Sequence, residues 1–85
     1  MKACVNFRQR AMLRAVAAGH AEITCSCEPD LYVDGLPCCD QTAARELVRA
    51  GLLRAARPGR VGQRVPALLT EPGHAALSDQ LDRAG

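Results

Sequence analysis

Cys25-Ser26-Cys27 and, ten residues later, Cys38-Cys39 place four thiols in one short stretch, with a fifth at Cys4. Three kinds of chemistry suit them. Four thiolates could hold a zinc ion in a tetrahedron and staple a segment that has no apolar core of its own. Against this, both pairs are closer than the roughly two to four intervening residues usual in zinc knuckles. His20 could replace one thiolate, although a histidine just past a helix end equally suits a solvated imidazole beside the helix dipole. Alternatively, Cys27 and Cys38 could face each other across a hairpin turning at Asp34-Gly35 and close a disulfide or a regulatory thiol pair. The third reading is free thiols packed as small hydrophobes. Spacing does not select among the three. Cys25, Cys27, Cys38 and Cys39 therefore stand as candidate zinc ligands, and zinc as the one candidate cofactor.

Arginine is the other type with a telling distribution. The chain of 85 residues has a net charge of only +2, but the charge is segregated. Residues 1–19 sum to +4, residues 20–42 to −5 with no basic residue, and residues 43–66 to +5 through Arg45, Arg49, Arg54, Arg57, Arg60 and Arg64 against Glu46. Such a basic block is the electrostatic footprint expected of a polyanion-binding surface, and equally of a solvated face on an arginine-rich protein. Catalysis finds little support. Glu28 and Asp30 sit in an acidic, Pro29-containing stretch that suits a solvated loop, and His20 and His74 have no nucleophile in view. Ser26 and Ser78 lack an elbow-like context, and Pro58-Gly59-Arg60-Val61-Gly62 has no lysine of the phosphate-loop kind. An enzyme is not expected.

The elements that must position these residues are short. Asn6 and Gln9 have capping-box spacing, and Met12, Leu13, Val16 and Ala17 form one helical face that Gly19 closes, predicting a helix over about 7–18. Residues 21–25 alternate like a strand. Residues 25–39 lack a helical period and hold Pro29, Gly35 and Pro37, which predicts a loop or small hairpin with Asp34-Gly35 at its turn. Asp40 can cap a second helix over about 41–50. On a helical wheel Ala43, Ala44, Leu47, Val48 and Ala50 share one side, with Gln41, Thr42, Arg45 and Arg49 on the other. Residues 52–57 and 64–69 read as two strands joined by a turn-rich tip at 58–63, and Pro66 is expected at an edge or with its nitrogen turned outwards. Thr70 then caps a last helix with Pro72 in its first turn and an apolar stripe of Ala75, Ala76, Leu77 and Leu81. Tyr32 is expected to plug the thin core.

Three phrases in this order resemble a known family. Arg8 to Ala17 resembles its opening helix, and Ala43 to Leu53 the end of its recognition helix entering the first strand of a wing. Leu69-Thr70-Glu71-Pro72-Gly73-His74-Ala75-Ala76-Leu77 resembles an "LTExGxxAL" phrase that follows the second wing strand. The family is the winged helix-turn-helix of MarR-like bacterial regulators. The resemblance implies a small α+β fold of about three helices and a β-hairpin wing over 52–69, all within one domain spanning 1–85. Residues 25–39 depart from the family pattern: a Cys-rich acidic insert stands where its second helix would be.

In such domains the recognition helix enters the DNA major groove and the wing meets phosphate or the minor groove. Carried over by position, Gln41, Thr42, Arg45 and Arg49 would face DNA, and Arg57, Arg60 and Arg64 would sit on the wing. The chemistry agrees: arginine can contact guanine in a bidentate way and glutamine suits adenine, while wing arginines would bind phosphate and set position. The expected function is sequence-specific binding of double-stranded DNA by a small transcriptional or mobile-element regulator. It would work as a homodimer paired through its first and last helices. The alternative is a protein-interaction module whose acidic Cys-rich segment binds a protein partner. No apolar run approaches the roughly 18 residues needed to cross a membrane, and the sequence opens with no signal-peptide core, so a cytoplasmic location is expected.

Overall fold

The computed structural model describes residues 5–84, with side chains described as far as Ser78; Cys4 and the side chain of Leu81 lie outside the described residues. Asn6 starts α1 (Phe7–Ala17) through the predicted capping box. Its Oδ1 accepts from the Gln9 N–H at 2.8 Å, and Gln9 Oε1 accepts from the Asn6 N–H at 3.1 Å. Val16 and Leu13 are buried on one face with Met12, and the helix ends at Ala18 before the left-handed Gly19. The strand β1 (Ala21–Thr24) follows, burying Ala21 and Ile23 on alternate positions.

The Cys-rich stretch folds as a hairpin of β2 (Leu31–Val33) and β3 (Leu36–Pro37). Its turn is Asp34-Gly35, with φ of 53° and 82°. Positive φ at both central positions is what a type I′ turn requires, and glycine takes the second of them without a steric cost. Asp40 then caps α2 (Gln41–Arg49): its Oδ1 accepts from the Ala43 N–H at 3.0 Å, and its Oδ2 pairs with Arg8 Nη1 at 3.2 Å. That backbone N–H, aided by Arg8 and opposed by partial desolvation, holds the Asp40 carboxyl below the usual carboxylate range. β4 (Leu53–Ala55) and β5 (Arg64–Leu69) form the second hairpin, and α3 (Glu71–Ala84) closes the fold, with Thr70 Oγ1 accepting from the Gly73 N–H at 3.1 Å.

Among the described residues the architecture is α+β: three helices and one antiparallel sheet in the order β3-β2-β1-β5-β4. The register sets Ile23 beside both Leu31 and Val65, and Leu53 beside Leu69. These side chains make one core with Leu13, Val16, Ala43, Ala44, Leu47 and Leu77. Gln9 is the one buried polar residue among those described, and its amide is fully used: Nε2 donates to Ala43 O at 3.2 Å and to Glu46 Oε1 at 3.0 Å, tying α1 to α2.

Two expectations need correction. Pro66 lies on β5, which has neighbours on both sides and is no edge. Its C=O accepts from the Ala56 N–H at 2.8 Å, so its nitrogen faces the β4 side, and the reciprocal bond that proline cannot make falls just past Ala55, where β4 ends. Tyr32 is not a core plug. It is only half-buried, it pairs with Glu22 on the sheet face away from the helices, and the Arg64 guanidinium stacks 4.6 Å from its ring centroid.

Candidate nucleic-acid interface

Capping at Asp40 and burial of Ala43, Ala44 and Leu47 turn the opposite side of α2 outwards. Thr42 and Arg49 are exposed there, as the wheel predicts. Gln41 is not. Its Oε1 accepts from the Leu31 N–H at 2.8 Å, and its Nε2 donates to Leu31 O at 3.1 Å and Cys38 O at 3.0 Å. The side chain therefore clasps the start of β2 and the end of β3, and no donor remains for a base. Replacing Gln41 with Ala strands these partly buried backbone groups, so the expected cost is about 2 kcal/mol of stability. Chemical denaturation of Gln41→Ala checks it; a midpoint equal to that of the unsubstituted protein would show that the clasp is idle.

Arg45 is also redirected. Its Nη2 lies 2.7 Å from Asp30 Oδ1, its side chain is 29% exposed, and its Nε is buried without a partner. A stranded donor of this kind costs about 1–3 kcal/mol, so the seat is an imperfect one. Asp30 is itself held. Its N–H donates to Thr24 Oγ1 at 2.8 Å and its C=O accepts from the Thr24 N–H at 3.0 Å, closing the loop of Cys25–Pro29 at its base.

The tip of the β4–β5 hairpin is ordered by Gln63, whose Oε1 accepts from the Arg60 N–H at 2.9 Å. Cys25 fastens it to the end of β1, donating its N–H to Gln63 O and accepting from the Gly62 N–H, both at 2.9 Å. Arg57 and Arg60 are exposed on this tip. Arg64 belongs elsewhere: besides stacking on Tyr32 it lies 3.9 Å from Glu22 Oε1, on the outer face of the sheet. The expected wing residue is thus an intramolecular partner, because β5 pairs with β1 as well as β4.

A groove of about 420 Å³ separates α2 from the hairpin, lined by Ile23, Val48, Ala55, Arg54, Arg57 and Pro58. Among the described residues the ion pairs are Arg8–Asp40, His20–Asp34, Arg45–Asp30 and Arg64–Glu22. Arg49 on α2 and Arg54, Arg57 and Arg60 on the hairpin have no carboxylate in range among the described residues. Of these, the helical wheel points to Arg49, and the basic block with the family resemblance points to Arg57 and Arg60. These signals missed Asp30, Thr24 and Gln63, whose roles depend on contacts between elements; the acidic run at 20–42 was the only signal of Asp30, and it does not name a partner.

The four described cysteines do not converge. Cys25 ends β1 beside the hairpin tip, where a side chain added to Gly59 would come within 3.0 Å of its Sγ. Cys38 and Cys39 instead line a groove with Phe7 and Met12 of α1. No three His, Cys, Asp or Glu residues among those described are placed to hold a metal ion, so the candidate zinc set of Cys25, Cys27, Cys38 and Cys39 does not fit a tetrahedral site. All four thiols are free. The predicted Cys27–Cys38 approach fails because the hairpin register brings the Cys38 N–H to Leu31 O at 3.0 Å, well past Cys27.

Cys27 and Cys39 are exposed, Cys25 and Cys38 half-buried, and burial, helped by the neighbouring Cys39, pushes the Cys38 thiol above its ordinary pKa. Maleimide labelling followed by peptide mapping should therefore modify Cys27 and Cys39 well before Cys38. Equal rates at all three would contradict the placement. No described helix is long and apolar enough to cross a membrane. No family model matches this chain, and neither a curated protein nor a solved structure is similar enough to count as a match.

Proposed function

We propose that this chain is a winged-helix protein that binds duplex DNA, with α2 as the recognition helix and the β4–β5 hairpin as the wing. A bacterial transcriptional or mobile-element regulator is the role this fits. The observation that carries the reading is the set of exposed arginines without carboxylate partners among the described residues, Arg49 on α2 and Arg57 and Arg60 on the wing, with Arg57 lining a groove that Val48 of α2 also borders. Cationic side chains left without internal partners on two elements that border the same groove suit two contacts along a phosphate backbone. The element order supports the same reading: α1, a strand, the two-faced α2, then a hairpin whose second strand pairs with the first strand of the chain. The β2–β3 hairpin stands where such a fold has its second helix, and Gln41 secures it to α2.

In this reading Thr42 and Arg49 supply base-edge contacts, and Arg57 and Arg60 supply phosphate contacts. Few contacts give modest affinity at physiological salt, so two copies on adjacent half-sites belong to the proposal. A gel shift on genomic fragments at two salt concentrations tests it. Three to four phosphate contacts predict a log–log salt slope of about −3 to −4. A folded protein that retards no duplex at low salt, or does so independently of salt, would refute it.

A second reading, a protein-interaction surface, draws on the exposed Phe7 and Leu36 and on the 270 Å³ groove lined by Phe7, Met12, Cys38 and Cys39. It predicts that arginine substitutions leave partner binding intact.

A further inference from the structure

We infer that Asp30 is a built-in substitute for a nucleic-acid phosphate, masking Arg45 so that α2 meets DNA with one arginine withheld. The inference rests on the nucleic-acid reading above and concerns how that same surface is controlled. The 2.7 Å contact between Arg45 Nη2 and Asp30 Oδ1 has the short length of a charge-assisted hydrogen bond. It is the bond that a phosphate oxygen would make, supplied from within the chain. Asp30 is not a loose surface group. The paired hydrogen bonds with Thr24 fix its backbone, and the next residue, Leu31, is fully buried and gripped by Gln41. The carboxylate is therefore delivered to α2 by the fold, at a position one helical turn before the exposed Arg49.

The manner in which Arg45 is held withdraws one of the two guanidinium edges that could meet a base. A brace that aimed arginine at a base would leave one edge of the guanidinium outward with two donors in line. Here Nε is buried with no acceptor and Nη2 is taken by Asp30, so the edge carrying those two nitrogens is lost to bidentate contact. The pair is also partly exposed, at 29% for Arg45 and 40% for Asp30. A contact of that kind contributes little to folding, so its removal should leave the fold standing. Nucleic acid that takes the Nη2 donor now held by Asp30 must displace that carboxylate, which then repels the strand that displaced it.

The test uses the full chain and a fluorescein-labelled genomic duplex of about 30 base pairs, long enough for two half-sites. Binding is followed by anisotropy across a salt titration. Asp30→Asn should bind roughly tenfold more tightly than the unsubstituted protein, with a salt slope steeper by about 0.9, the signature of one additional phosphate contact. Arg45→Ala alone should change affinity little, and Arg45→Ala added to Asp30→Asn should erase the gain. If Asp30→Asn does not fold, Arg45→Ala decides: little change supports the mask, and a loss as large as that of Arg49→Ala overturns it. Binding by the unsubstituted protein that Asp30→Asn weakens or leaves unchanged overturns the mask alone. No binding by any folded variant overturns the nucleic-acid reading, and the mask with it.

Discussion

Gly73→Ala should melt about 15 °C or more below the unsubstituted protein. A Cβ at this position would stand 1.9 Å from Leu52 O and 2.9 Å from Leu52 C, and both are backbone atoms with nowhere to go. That carbonyl is already engaged, accepting from the Thr70 N–H at 3.1 Å, and the Thr70 hydroxyl donates to the neighbouring Gly51 C=O. The first turn of α3 must therefore lift away from the backbone of Leu52, between α2 and β4, which loosens the core that buries Leu52 and Leu77. Overpacking at a rigid site costs about 3 kcal/mol. For a fold of this size each kcal/mol moves the midpoint by about 4–8 °C. Gly59→Ala is the comparison, since its added Cβ meets only side-chain atoms, Gln63 Oε1 and Cys25 Sγ, and should cost no more than the Gln63–Arg60 hydrogen bond. Differential scanning calorimetry of both variants decides it, and a Gly73→Ala midpoint within a few degrees of the parent would rule out the close approach.

The second large effect is on binding. Replacing Arg49, Arg57 and Arg60 together with alanine should lower duplex affinity by about two orders of magnitude and flatten the salt slope by about 1.8 per bound copy, at about 0.9 for each of the two wing phosphate contacts. All three are exposed and have no ion-pair partner among the described residues, so their removal strands no carboxylate and the melting temperature should hold. Arg64→Ala makes the contrast. It removes the stack on Tyr32 and the pairing with Glu22 on the outer sheet face, and should affect stability more than the salt slope. A triple variant that binds like the parent would remove the basis for the regulator proposal. Substituting Arg49 alone should also relax sequence preference, whereas Arg60 alone should weaken every sequence alike.

Local chemistry was legible in the sequence. Asn6 with Gln9, Asp34 with Gly35, Asp40 before α2 and Thr70 before α3 each satisfy backbone groups within a few residues, so the residue types alone place the helix starts and the turn. Strand alternation at 64–69 is similarly self-contained, with Val65, Ala67 and Leu69 buried and Arg64, Pro66 and Leu68 exposed. What could not be read was the side on which the Cys-rich hairpin comes to rest. It settles along the flank of α2 that carries Gln41 and Arg45, and so converts two wheel-predicted contact residues into internal partners. A wheel separates core from surface, but it cannot say which part of the surface another segment will cover. The same limit applies to Arg64, whose neighbours Tyr32 and Glu22 follow from a register between distant strands. It applies also to the cysteines, which are close in sequence and apart in space because β2 and β3 carry the second pair round to α1.

The outermost strands of the sheet, β3 and β4, are two and three residues long, and Pro37 in β3 has no N–H to offer. A second chain approaching from either flank would find almost no ladder to extend. Among the described residues, the sheet edges thus give stacked-strand fibres little to build on.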